Sequence, residues 1–112
     1  MDDKDQDSLQ PAEVKRLVDL LQYQAGSIVS QVLLKNKGGT ITLFAFGEGE
    51  GLSEHTAPFD ALVVVHDGEA DIEIEGKSFH LQKGEMITLP ANRPHAVKAA
   101  SNFKMLLTMI RA

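Results

Sequence analysis

The chain has 112 residues, 43% of them hydrophobic and 24% charged, with no cysteine and a formal net charge of −5. One domain with a modest core is the expectation at this length. Disulfide frameworks, thiolate zinc sites and cysteine nucleophiles are excluded, and a reducing, cytoplasmic setting fits.

The acidity is local. Residues 1–13 hold five acids against one lysine, so the remaining body is close to neutral. It has no basic patch, so nucleic acid is not an expected partner. No apolar run approaches the ~20 residues needed to cross a bilayer, so a membrane is not expected either. The start, Met-Asp-Asp-Lys-Asp-Gln-Asp, lacks the apolar stretch of a signal peptide.

Residues 1–10 read as an acidic, disordered tail. Pro11 suits a first helical position, and Val14, Leu17, Val18 and Leu21 follow at helical spacing. The spacing predicts a short amphipathic helix from about Pro11 to Gln22, with 11–26 as helix and connector. From Ser27 the pattern becomes strand-like through to residue 112. Expected strands run over Ile28–Leu34, Thr40–Phe46, Ser53–Thr56, Asp60–His66, Ala70–Glu75, Ser78–Leu81, Met86–Leu89, His95–Ala99 and Lys104–Arg111. Turn residues separate them, including Asn36–Gly39, Asp67-Gly68, Glu75-Gly76 and the loop Pro90–Pro94. Short strands at this spacing predict an all-β antiparallel sandwich or barrel. The run Phe103–Ile110 is apolar on both parities. One face would line the barrel, and the other needs cover from the N-terminal segment or a second subunit, which predicts a homodimer.

Two blocks hold the candidate chemistry, Gly49–Gly68 and Gly84–Ala99, each with one histidine at a strand edge. Gly49, His55 and Gly68, then Gly84, Pro90 and His95, stand at the spacings of the two motifs of the cupin family. The chain resembles a small single-domain cupin over about half its length. The resemblance implies a double-stranded β-helix, or jelly-roll, barrel with the N-terminal helix as an appendage. It also implies a metal held by three histidines and one carboxylate. Only His55 and His95 of that set are present. Ala57 and Ala61 stand at the other two ligand positions, Asn92 replaces a motif glycine, and Ala99 replaces a motif asparagine.

His55 and His95 are therefore the candidate site. They would bind a small molecule, with Ser53, Met86 and Phe44 as further lining. Alternatively they would weakly hold one divalent metal (Zn, Ni, Cu, Fe or Mn), with Asp60, Glu48, Glu50 or Glu54 as recruitable third ligands. Strand parity places 53, 55, 57 and 61 on one face if the strand continues through Pro58. His66 and His80 have the outward parity. Arg93 could meet an anion at the mouth or remain solvated. Three functions stay open: a small-ligand receptor, a metal-dependent isomerase or dioxygenase, and an inert dimerisation platform. No Walker loop or Gly-x-Ser-x-Gly elbow is present, and Gly47-Glu-Gly-Glu-Gly51 would repel phosphate.

Overall fold

The computed structural model describes residues 9–111. Among them are nine strands: β1 (Ile28–Asn36), β2 (Gly39–Phe46), β3 (Gly51–His55), β4 (Phe59–Asp67), β5 (Glu69–Ile74), β6 (Lys77–Gln82), β7 (Met86–Leu89), β8 (His95–Ala99) and β9 (Phe103–Arg111). They form two antiparallel sheets, ordered β1-β2-β9-β4-β7 and β3-β8-β5-β6. This is the jelly-roll barrel that the strand rhythm and motif spacing predict. No helix of the described residues is long and apolar enough to cross a membrane.

Alternation builds the interior. On β4, Ala61, Val63 and Val65 turn inward, and on β9 Phe103 and Met105 do the same. From the opposing sheet come Ala70, Ile72, Leu81, Val97 and Ala99. Phe46 and Phe103 are fully buried and stack at 4.5 Å between ring centroids. Burying each contributes about 2–3 kcal/mol before packing is counted. At the β4–β5 corner the chain needs glycine. Gly68 has φ +72°, and a Cβ there would lie 1.9 Å from the Asn102 carbonyl oxygen. The β5–β6 turn is a two-residue hairpin, with Glu75 and Gly76 both at positive φ between the paired Ile74 and Lys77.

The N-terminal segment departs from its predicted helix. Among the described residues the only helical turn is a single 3-10 turn over Leu17–Asp19. Val14 is 99% exposed, so the expected stripe is not used as a stripe. Instead the segment runs across the outer face of β1, β2 and β9. Leu9, Leu17, Leu20, Leu21 and Tyr23 pack there on Leu33, Leu43, Ala45 and Leu106. An extended chain reaches more than twice as far per residue as a helix, which lets few residues cover a wide sheet. Three polar ties hold it: Leu9 N–H donates to the Leu33 carbonyl at 3.0 Å, Lys104 Nζ donates to the Val18 carbonyl at 2.6 Å, and the Tyr23 hydroxyl donates to Asp67. Burial and the Asp67 carboxylate push the Tyr23 phenol well above its usual range. Of the expected disordered tail over residues 1–10, residues 1–8 lie outside the described residues, and Leu9 is packed on the outer cluster.

Leu33 reaches this outer cluster on the same parity as Val29, and the register of β1 against β2 shifts between Val32 and Leu34. The N-terminal segment leaves the other half of the same face bare. Met86 and Ile110 are 66% and 58% exposed there, beside half-buried Leu62 and Val64.

Candidate functional site

Leu52 on β3 faces the core, opposite Val97 on β8. Strict alternation from Leu52 would send His55 outward. The register shifts between Leu52 and His55, so three residues of β3 span two of β8, and His55 pairs directly with His95. This bulge brings His55 back to the side of His95. The ring centroids lie 4.4 Å apart and the rings cross at 68°. The parity that placed Ser53 with His55 fails for the same reason. Ser53 lines a groove on the outer face of the sheet beside Asp71, Glu73 and Lys98. Its hydroxyl is not part of the pair's surroundings, but its carbonyl oxygen accepts a hydrogen bond from His55 Nδ1 at 2.8 Å.

His95 Nδ1 makes the matching bond to the Arg93 carbonyl at 3.2 Å. A carbonyl only accepts, so each bond fixes the proton on Nδ1 and leaves Nε2 with a free lone pair. Residue-type reasoning could not reveal these two backbone partners, because any residue supplies a carbonyl. His95 is 8% exposed. Burial lowers its pKa below the usual imidazole value; the carbonyl bond opposes this and the neighbouring His55 adds to it. Near neutral pH, His95 is a neutral acceptor.

The Pro90–Pro94 loop is tied down around the pair. Asn92 N–H donates to the Ala57 carbonyl at 2.8 Å, and Ala91 N–H donates to Asp60 Oδ1 at 3.0 Å. Asn92 sits at φ +62°, the left-handed region that asparagine tolerates better than most residues, which accounts for its standing at a motif glycine position. Arg93 is a solvated loop cation, its side chain 57% exposed, and its Nη1 pairs with Glu75 Oε2 at 2.8 Å.

Phe44 faces inward from β2 and packs against the core, level with Met105 and Val65 and toward the Gly68 end of the barrel. Met86 does not. Ile87 and Leu89 take the inward positions of β7, so Met86 points to the bare outer face. An apolar side chain on a short strand gave no sign of which face it would take.

The donor set falls short of a resident metal centre. The histidines supply two nitrogens, and catalytic zinc or iron sites use at least three protein ligands. Asp60 is engaged with the Ala91 amide, Glu48 and Glu54 are exposed, and Ala57 and Ala61 offer no donor. Among the described residues no group of three His, Cys, Asp or Glu could hold a metal ion.

The other two histidines face outward. His80 stands between Asp71 Oδ1 and Glu69 Oε1, each at 2.7 Å, and those bonds raise its pKa. His66 has both ring nitrogens buried without a partner. Burial, then buried Lys104, lowers its pKa, while Asp67 opposes. These shifts give a pH prediction. His66 and His95 bind protons more weakly folded than unfolded, so their stabilisation is complete above about pH 6.5, the usual imidazole value, and is lost as pH falls through that value toward their folded pKa values. His80 has the opposite sign, but it is exposed and solvent-screened. The melting temperature should therefore fall between pH 7.5 and pH 5.5, and His66→Asn should reduce the fall. A flat or rising profile in thermal denaturation would refute this.

Residues 42–111 match the family model described as Cupin domain. A conserved protein of unknown function from Streptococcus pyogenes is similar in structure, with a TM-score of 0.88 at 29% identity, over 93% of this chain and 91% of that one. A cupin 2 conserved barrel domain protein from Leptotrichia buccalis is 45% identical with a TM-score of 0.81, over 84% of this chain and 46% of its own longer chain. A cupin superfamily protein from Desulfitobacterium hafniense gives a TM-score of 0.84 at 25% identity, over 95% and 96% of the two chains. No curated protein matches the sequence.

Proposed function

The chain belongs to the cupin family, and from that premise we propose that it binds a small molecule at the His55–His95 end of the barrel, without a resident metal. The observation that carries this reading is the pair of Nδ1–H···O=C bonds from His55 to Ser53 and from His95 to Arg93. They leave both Nε2 lone pairs free in one tautomer, on rings whose centroids lie 4.4 Å apart. Such a pair accepts hydrogen bonds from a ligand hydroxyl, phenol or enol. Ile74, cross-strand from His95, supplies apolar wall nearby. A few polar groups set in apolar lining is the usual composition of a small-molecule site.

A thermal-shift screen of small phenols and enols against protein stripped with EDTA tests the reading. Binding to the native state raises stability by mass action, about 2.7 kcal/mol at a ligand concentration of a hundred times Kd. The shift should survive EDTA and disappear in His55→Ala and His95→Ala. Stabilisation that requires stoichiometric divalent metal, or that both substitutions leave intact, would overturn it. The family's wider repertoire supplies no choice of reaction, since one fold hosts many chemistries.

The bare half of the outer face supports a homodimer as well. Leu62, Val64, Met86 and Ile110 lie beside the area that the N-terminal segment covers, and a second copy is the partner we infer for them.

A further inference from the structure

The strand ends that carry the histidines bring a second group of side chains to the same end of the barrel. Phe59 opens β4, four residues after His55 closes β3. Phe59 pairs with Arg111 at the end of β9, Met109 pairs with Thr40 near the start of β2, and Thr40 pairs with Lys35 near the end of β1. These residues, with Gly39, line a cavity of about 180 Å³.

Three features of this cavity point the same way. It has two cations in its wall, although the chain as a whole is acidic. Among the described residues neither Lys35 nor Arg111 forms an ion pair, whereas Arg93, Arg16 and Lys15 each have a carboxylate. The second feature is the Thr40 hydroxyl, which is buried and has no hydrogen-bond partner. Buried polar groups are ordinarily satisfied, so an orphan in a cavity wall calls for an acceptor from outside. The third is the posture of Arg111. Its guanidinium lies over the Phe59 ring at 5.4 Å. A guanidinium held over a ring by cation–π attraction keeps N–H donors for a planar, two-oxygen anion.

We propose that this cavity is a recognition site for a small carboxylate with an apolar or aromatic body. Arg111 and Lys35 hold the carboxylate, Thr40 donates its hydroxyl to it, and Phe59 and Met109 pack on the body. The fork geometry favours a carboxylate, and the apolar wall favours a body behind it. The volume is below that of a drug-sized site, so the molecule is small. Neither His55 nor His95 lines this cavity, so the site does not depend on what that pair binds.

Titration of the 112-residue chain with sodium benzoate in low-salt buffer, followed by amide and methyl NMR, tests it, with acetate and inorganic phosphate as comparison anions. Benzoate should shift the Met109 methyl and the Thr40 and Phe59 amides saturably, more tightly than acetate or phosphate. Arg111→Gln should weaken binding at least tenfold, Thr40→Val severalfold, and added potassium chloride should compete. Arg111 is exposed at a strand end, so the variant keeps its fold and its spectrum reports directly. Phosphate binding as well as benzoate would overturn the carboxylate assignment. Shifts confined to His55 and His95, with Met109 silent, would sink this site while favouring the histidine reading. Shifts at Met109 with silent histidines would support it whatever becomes of that reading.

Discussion

Phe103→Ala should destabilise the fold by about 4 kcal/mol, read as a lower urea midpoint at an unchanged slope. Phe103 has no solvent exposure and stacks on Phe46, so removing the ring leaves a cavity with few means of collapse. It sits where β9 turns inward beside Gly68, whose missing side chain lets the Asn102 and Phe103 backbone approach. Two sheets meet at that corner, and a void there loosens both. Phe103→Leu keeps most of the volume and should cost much less. A loss below about 1 kcal/mol for the alanine variant would mean that the corner refills, and the account of the core would be wrong.

Met86→Lys should turn a dimer into a monomer of 12.2 kDa at micromolar concentration, measured by light scattering after size exclusion. Met86 is 66% exposed on the outer face of β7, cross-strand from Val64. A lysine there costs the isolated barrel little, because solvent already reaches the position. Against a second copy, the same charge would be buried without a partner, and that is far more costly than any lost contact. The effect should appear in the mass and leave the monomer's urea midpoint nearly unchanged. A wild-type chain that already weighs 12.2 kDa in solution, or a lysine variant that remains dimeric, would remove the face from consideration as an interface.

The barrel was legible because its signals are redundant. Alternation in Ala70–Glu75, turn pairs such as Glu75-Gly76, and the glycine and proline spacing of the two histidine blocks all demand the same topology, and the strands fall close to the expected limits. The N-terminal segment was misread because Val14, Leu17, Val18 and Leu21 satisfy a helical period by spacing alone. Spacing carries no information about the broad apolar sheet face beneath, which an extended chain covers further per residue. At the site, His55 and His95 were found from their motif positions, and their side-by-side arrangement follows from the β3–β8 register. Ser53 and Met86 were misplaced. The first depended on a bulge that no residue type announces, and the second on which of two apolar neighbours took the inward position. Lys35, Thr40 and Arg111 lie far apart in sequence, and only the pairing of β1, β2 and β9 assembles them.

The extra residue in β3 has a consequence for how such a site is inherited. Ser53 and Glu54 occupy two places opposite one on the partner strand, and that count turns His55 toward His95. The information that aims the histidine is therefore a length, not an identity. Substitutions at 53 and 54 can drift without touching the aim, whereas losing either residue would rotate an intact histidine out of the barrel. A reader comparing relatives by matching histidines alone would score the two cases alike, although one copy has kept its site and the other has lost it.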